Sequence, residues 1–466
     1  MTDLQINKKN TVYFIGIGGI GMSGIALIMK NLGYNILGSD LSKNNKILDQ
    51  LKKKRIKIVF GHDTKSILKA DIVVVSSAIQ KDNREFQLAK KNKIIIIKRA
   101  DMLAHLINLK KNIIISGSHG KTTITSLISH LLQSNNFYPT IVNGGIINSL
   151  NSNASLGKSE WSVVEADESD GSFLKFKSIY SIVSNIDIEH MDYYKNFKNL
   201  KKSFENFLKK TPLLGKNVIC IDDKNLKYLI KKINRKNFLT YGFCNQANLQ
   251  CKNVRNIKMG MLFDIDVNLP NKKIQIKNIK TKLIGIHNIL NIVATVAIGL
   301  LLNISIKKIK ASLFSFSGVQ RRLTIVYKRK GTIIYDDYAH HPTEIKAVLE
   351  ACKHNFKGKK IIAIFQPHRY SRMKTLYNQF IKSFNNANQV LVCPVYSAGE
   401  KKIKYDPQKF CKDIISYSKT EVVQIDNKRQ IEMYLKKNSL NNEIVIAMGA
   451  GSISSWIRDI SSRLKI

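Results

Sequence analysis

Residues 112–132 read NIIISGSHGKTTITSLISHLL. The apolar run up to Ser116 has the composition of a buried strand, Gly117 opens a turn, and the apolar spacing after Lys121 is that of an amphipathic helix. A strand passing through a glycine turn into a helix binds phosphate. Backbone N–H groups of the turn and helix N-terminus point at the anion, Lys121 adds a mobile positive charge, and the Thr122 hydroxyl can ligate the magnesium that accompanies a nucleotide. The loop is short: a full GxxxxGK[ST] pattern needs glycine five places before Gly120, where Ile115 stands. Gly117, Ser118, His119, Gly120, Lys121, Thr122 and Thr123 are the expected contacts to a nucleotide.

Two more apolar runs follow, WSVVEADES from Trp161 and SIYSIVSNI from Ser178, and each ends in acids. Glu165, Asp167, Glu168 and Asp170 close the first; Asp187, Glu189, His190 and Asp192 follow the second. Near-continuous apolar strands suit a sheet covered on both faces, and ligands bind at the carboxyl ends of such strands, so these groups are candidate magnesium ligands.

Upstream, TVYFIGIGGIGMSG from Thr11 reads as a strand and a Gly16-x-Gly18-Gly19-x-Gly21 turn into a helix ending near Gly33, with Asp40 at the end of the next strand. This is the dinucleotide fingerprint, with Asp40 near a ribose. Its chemistry is a diphosphate on a helix N-terminus, which any nucleotide diphosphate satisfies. Downstream, strand and helix alternate again through GTIIYDDYA, a helix from Pro342, KIIAIFQPHRYSR, QVLVCPVYSAGE and NEIVIAMGAGSIS. At about 150 residues per domain, 466 residues suggest three domains, with linkers near 109 and 319.

The net charge of +43 would point to nucleic acid, but lysine is spread over the whole length and no aromatic-interleaved basic motif occurs, so no specific nucleic-acid binding is expected. The six cysteines form no CxxC pair and read as reduced thiols of a cytoplasmic protein. The uncharged stretch from Thr11 to Met29 superficially resembles a signal peptide, but its glycines suit a strand–turn–helix unit, and Ile292 to Leu302 is too short to span a bilayer. No membrane insertion is expected, and oligomeric state is not legible.

The blocks GIGGIGMSG (16–24), GSHGKTT (117–123), EADESDGSF (165–173), NIDIEHMD (185–192), GIHNILN (285–291), GVQRR (318–322), DDYAHHPTE (336–344) and QPHRYSR (366–372) occur in this order. On them the chain resembles the Mur ligase family along essentially its whole length, and within it the branch acting on UDP-N-acetylmuramate and L-alanine. The resemblance implies a three-domain α/β chain: a Rossmann-like domain holding the UDP-sugar (1–109), a central P-loop ATPase domain with a mostly parallel sheet (110–319) and a Rossmann-like C-terminal domain closing on ATP and amino acid (320–466). Gly16, Gly18, Gly19, Gly21 and Asp40 then seat a UDP-sugar, with Ser76, Ser77 and Ala78 lining the same site. The same resemblance puts His287, Asn288, Arg322 and Asp337 near ATP. It also puts Thr122 and Glu165 on one magnesium, Glu165 and His190 near a second (manganese being an alternative metal), and Tyr338 and His368 beside the amino acid. Lys121, Glu165 and His190 become the expected catalytic set. This chain has Glu189 where the family has aspartate, which favours His190 over Glu189 as a ligand.

The expected reaction activates a carboxylate as an acyl phosphate with ATP and lets the amine of alanine displace phosphate. Arg369 and Arg372 offer planar guanidiniums for the alanine carboxylate. Alternatives are a Mur-type ligase adding a whole peptide, a NAD(P)-dependent oxidoreductase suggested by the first glycine turn alone, and a basic ATPase acting on nucleic acid.

Overall fold

The computed structural model describes residues 9–42, 46–76, 78–233, 235–257, 260–270, 272–401, 405–437 and 442–464. It is an α/β protein with three sheets. The first contains β1 (Thr11–Ile15), β2 (Asn35–Asp40), β3 (Lys57–Phe60), β4 (Ile72–Val75) and β5 (Ile95–Lys98), all parallel, in the order β3-β2-β1-β4-β5. The helix Ile20–Asn31 that leaves the first glycine turn is buried at every residue from Met22 to Met29. Burial on nearly all sides explains why this stretch carries no charge and looks, in sequence, like a membrane segment.

The second sheet has ten strands: β6 (Lys111–Ser116), β7 (Thr140–Ile147), β8 (Ser152–Ser155), β9 (Trp161–Glu165), β10 (Tyr180–Val183), β11 (Lys216–Cys220), β12 (Phe238–Gly242), β13 (Leu249–Ile257), β14 (Gly260–Leu269) and β15 (Lys272–Thr281). Their order is β15-β14-β13-β12-β11-β10-β6-β9-β7-β8. The phosphate-loop strand β6 lies between β9 and β10, parallel to both, so the turn after β6 and the acids after β9 and β10 emerge together at one sheet end. The third sheet, β16 (Thr324–Arg329), β17 (Thr332–Asp337), β18 (Ile361–Phe365), β19 (Gln389–Val392), β20 (Glu421–Gln424) and β21 (Ile444–Met448), has the order β16-β17-β21-β18-β19-β20, with only β16 antiparallel to its neighbour.

By packing, the chain forms two compact units: one holds the residues up to Asn253 with Phe263–Ile279 and Leu290–Ser317, the other Val254–Leu262, Lys280–Ile289 and the chain from Gly318. The first sheet and strands β6 to β12 of the second therefore share one unit. They meet where the helix Ile20–Asn31 lies on β7 and β8: Asn153 Nδ2 donates to Ile20 O at 2.6 Å, and a Cβ on Gly24 would stand 3.1 Å from Ala154 Cβ. Gln50 Nε2 to Asn151 O (2.7 Å) and Asn108 Oδ1 accepting from Lys177 N (3.1 Å) tie the same two layers elsewhere. None of the six cysteines is paired, and five are buried. Among the described residues no helix is long and apolar enough to cross a membrane.

Candidate active site

The turn after β6 is built so that only glycine fits at two points. Gly117 has φ +126° and Gly120 φ +87°; a Cβ would come within 2.4 Å of Ser184 Oγ at the first and 2.7 Å of Asn291 Oδ1 at the second. Asn185 holds the turn from β10's side, accepting from His119 N at 2.8 Å with its side chain and from Ser118 N at 3.1 Å with its carbonyl. His119 Nε2 lies 3.1 Å from Asp187 Oδ2, and Asp187 N donates to Ser118 Oγ at 2.8 Å. Lys121 begins the helix Lys121–Gln133. Its ammonium folds back on the turn, donating to Gly117 O (2.6 Å) and Ser118 O (3.1 Å), and lies 2.9 Å from the Glu168 carboxylate. Burial alone would lower the Lys121 pKa, but Glu168, Asp167, Glu165 and Glu189 together hold it above the usual lysine range, so it stays charged.

Glu165, the last residue of β9, accepts from Thr122 Oγ1 at 3.1 Å and from Gly144 N at 2.6 Å. His190 has two other acids beside it. It stands with Glu168 and Glu189, the ligating atoms of the three lying within 4.8 Å of one another, and its Nε2 is 3.7 Å from Glu168 and 3.9 Å from Glu189. The expected set Thr122, Glu165 and His190 thus divides into two groups that share Lys121 as their cation. Both Glu165 oxygens are taken by Thr122 and Gly144, while His190, at φ +58° ahead of the short helix Met191–Tyr194, is turned toward Glu168. Glu189 reaches the same cluster as His190. Burial pushes Glu165 up, and pushes Glu168 to about 8 even with Lys121 pulling it down.

At the first glycine turn, Gly16 N and Ile17 N both donate to Ser39 O at 2.9 Å. Asp40, expected near a ribose, organises the turn: its carboxylate accepts from Gly18 N at 2.8 Å and Ser42 N at 2.9 Å. Gly19 caps the following helix, and Gly21 faces Arg99, whose Nη1 would be 2.8 Å from a Cβ there. Ser76 and Ala78 follow β4, Ser76 O accepting from Ile79 N beside Gly16; Ser77 lies outside the described residues.

In the second unit, Asp337 at the end of β17 accepts from Leu323 N (2.7 Å) and Ala339 N (2.8 Å), which fixes the bend carrying Arg322 and Tyr338. Arg322 is 3.7 Å from Glu344 and 5.6 Å from the Tyr338 ring centroid; Arg321 covers the same ring at 4.5 Å. The helix Pro342–Asn355 starts with a capping box between His341 and Glu344. Tyr338 meets His340 edge-on, His340 meets His368 at 5.7 Å, and His368 stacks on Tyr396 at 5.6 Å, forming a row of rings. Arg372 Nη1 reaches His368 Nδ1 at 3.1 Å, whereas Arg369, at φ +68°, caps the helix Tyr370–Phe380 and is exposed. The charges of both arginines act on His368. Asn288 Nδ2 donates to Ile284 O at 2.8 Å, and Gly285 at φ +97° leaves room for the His287 ring.

Burial, reinforced by Arg322, holds His287 down at about 4; burial with His340, Arg372, Arg369 and Arg321 holds His368 down at about 3. Both therefore stay neutral in the folded chain at pH values where an unfolded histidine, at about 6.5, takes a proton. Their stabilising contribution is complete above that value and is lost as pH falls from about 6.5 toward the folded values. His287→Gln or His368→Gln should each flatten the acid loss of stability between pH 6.5 and 4.5 by about 1.4 kcal/mol per pH unit at most, read by denaturant titration. Slopes equal to that of the parent chain would refute the neutral, buried state.

Gly144 beneath Glu165, Arg99 against Gly21, and His340 and Tyr396 in the ring row are absent from the residues expected at the sites, and Glu168, expected as a candidate magnesium ligand, is the partner of Lys121. Glu168 stands in the acidic run after β9, where its sequence position does not separate it from its neighbours. Arg99 and Tyr396 carry no local motif.

The description Mur ligase family, catalytic domain, matches residues 11–111; Mur ligase middle domain matches 115–299; Mur ligase, glutamate ligase domain, matches 321–451. The chain is 47% identical to UDP-N-acetylmuramate--L-alanine ligase of Pelagibacter ubique, over 98% of this chain and 99% of that one. It is 42% identical to the protein of the same name from Desulfatibacillum aliphaticivorans, over 96% and 97%. Among solved structures, UDP-N-acetylmuramate-alanine ligase from Thermotoga maritima superposes with a TM-score of 0.83 at 26% identity, covering 98% of this chain and 99% of that one. A murein peptide ligase from Psychrobacter arcticus shares the fold, with a TM-score of 0.73 at 18% identity over 98% of both chains. The chain belongs to the Mur ligase family.

Proposed function

We propose that the chain is an ATP-dependent ligase of the cytoplasm that joins L-alanine to the D-lactoyl carboxylate of UDP-N-acetylmuramate, yielding ADP and phosphate, in peptidoglycan precursor synthesis. The observation that carries this reading is Lys121, seated at a phosphate turn among buried Glu168 and half-buried Glu165, Glu189 and His190, in a chain 47% identical end to end to a ligase of that name. We further propose that residues 1–109 hold the UDP-sugar, 110–319 the ATP, and that 320–466 close on ATP and amino acid.

The donor sets fit the groups this reaction needs. A buried hydroxyl beside a buried carboxylate, Thr122 with Glu165, and a two-carboxylate, one-imidazole cluster, Glu168, Glu189 and His190, are hard oxygen and nitrogen ligands suited to Mg²⁺ or Mn²⁺. Thr122 and Glu165 are proposed to hold one metal, with Glu165 and His190 near a second; the metal would neutralise phosphate charge. Phosphoryl transfer is a matter of positioning and charge, so the chain contributes cations and backbone N–H groups rather than a base. Gly117 to Thr123 seat the phosphates, and Lys121 contacts the β/γ-phosphates as the γ-phosphoryl group passes to the lactoyl oxygen. His287, Asn288, Arg322 and Asp337 border the nucleotide. Gly16, Gly18, Gly19 and Gly21 present the helix N-terminus to the UDP-sugar diphosphate, with Asp40 keeping the turn in shape and Ser76, Ser77 and Ala78 alongside. Tyr338, His368, Arg369 and Arg372 take the alanine: cations hold its carboxylate, and neutral His368 stays an unprotonated wall of the pocket.

Phosphate release from ATP with UDP-N-acetylmuramate, screened against L-alanine, glycine, L-serine, D-glutamate and the tripeptide L-alanyl-γ-D-glutamyl-meso-diaminopimelate, tests the reading. L-Alanine should be fastest, with glycine and L-serine slower by roughly 10- to 100-fold, because a methyl group in a pocket discriminates by only about 1–3 kcal/mol. Preference for D-glutamate or the tripeptide, or turnover with NADH instead of ATP, would overturn it.

A further inference from the structure

Glu168 is fully buried, with 1% of its side chain exposed, and lies 2.9 Å from the Lys121 ammonium. The ammonium has two further partners, Gly117 O and Ser118 O, both carbonyls of the phosphate turn. In this arrangement every proton of Lys121 is directed into the protein, and the positive charge that a nucleotide would need is already neutralised. The Glu168 carboxylate cannot follow a moving lysine, because its own backbone carbonyl accepts from the buried Tyr194 hydroxyl and Gly171 N donates to the same carbonyl at 3.0 Å. Lys121, by contrast, is a flexible four-carbon stem at a helix start, with 15% of its side chain exposed.

We propose that Glu168 is a positioning residue that competes with nucleotide for Lys121: it holds the ammonium in a latched, phosphate-averse pose, and nucleotide binding requires exchange of this carboxylate for phosphate oxygens. The inference rests on the proposed ATP site. The latched pose divides the intrinsic affinity by the fraction of molecules in which Lys121 is free, so a latch favoured about tenfold weakens nucleotide binding about tenfold. It also keeps a buried lysine charged and ordered before ATP arrives, where an unpaired ammonium in that setting would shed its proton or drag water into the site.

The test is calorimetric titration of the full chain with the magnesium complex of the non-hydrolysable analogue AMPPCP, in the absence of UDP-sugar and alanine. Binding by the parent chain tests the site itself; absence of binding there would sink the ATP reading, not the latch alone. With binding established, Glu168→Gln should tighten AMPPCP about tenfold, and this gain should vanish in a Lys121→Met background. Unchanged or weaker binding by Glu168→Gln overturns the latch. A gain of equal size with and without Lys121 also overturns it, because simple repulsion between the carboxylate and phosphate does not need the lysine. Glu168→Asp, which withdraws the carboxylate by one methylene, gives the same direction with a smaller gain and serves if the glutamine variant does not fold.

Discussion

Lys121→Ala should reduce ligation by roughly 10²-fold or more in kcat while UDP-N-acetylmuramate binding is retained. The loss is expected to fall on the chemical step because the ammonium acts where charge shifts between the transferring phosphoryl group and its bridging oxygen, and removing one such group costs this much in comparable sites. Binding of the sugar nucleotide should survive because its turn, Gly16 to Gly21, belongs to a different sheet from the loop carrying Lys121. The obvious objection is that the variant leaves Glu168 buried without its counter-ion, an arrangement that often unfolds proteins. Here burial pushes the Glu168 carboxyl up against the downward pull of Lys121, so once the ammonium is removed the carboxyl can take up a proton and the damage is contained. Calorimetry with UDP-N-acetylmuramate alongside single-turnover product formation decides the matter. Near-normal turnover would remove Lys121 from the mechanism, and joint loss of sugar binding would show that the variant had simply collapsed.

Arg372→Lys should lower kcat/KM for L-alanine by about 10²-fold, with the KM values for ATP and UDP-N-acetylmuramate little changed. A guanidinium holds a carboxylate with two parallel hydrogen bonds, and an ammonium offers only a point charge. Arg372 is also placed by its contact with His368 Nδ1 at 3.1 Å, so lysine would release the ring as well as the carboxylate. Arg369 is exposed and caps a helix, so Arg369→Lys should have the milder effect of the two. Equal alanine kinetics in the parent and the Arg372 variant, or a loss shared equally by all three substrates, would move the amino-acid site elsewhere.

Strands buried on both faces could be read from sequence because they are runs of one kind of residue: β1, β6, β9, β10, β18 and β21 all stand where long apolar stretches predict them. The half-exposed strands could not. Lys272–Thr281 alternates lysines with isoleucines, and Lys57–Phe60 is an edge strand of four residues, so neither offers a run to detect. A similar divide holds at the site. Glycines and the lysine of the phosphate turn obey a local spacing rule, and the structure uses them together. The carboxylates do not, because which acid faces Lys121 depends on how two loops from different strands fold over one turn. Asp40 has a second use that the fingerprint does not announce: its oxygens accept from Gly18 N of the glycine turn and Ser42 N of its own loop.

The seam between the first two sheets, where Gly24 lies against Ala154 and Asn153 is bonded to Ile20 O, turns the first unit into a ruler. The turn proposed to seat a diphosphate and the turn proposed to seat ATP lie in layers joined by this small-residue contact and by Gln50 to Asn151 O and Lys177 N to Asn108. A substrate spanning them is then measured by its length: the distance from diphosphate to reacting carboxylate must equal the gap built into the protein, so a sugar nucleotide lengthened or shortened by a few bonds is rejected by arithmetic before any side chain has inspected it.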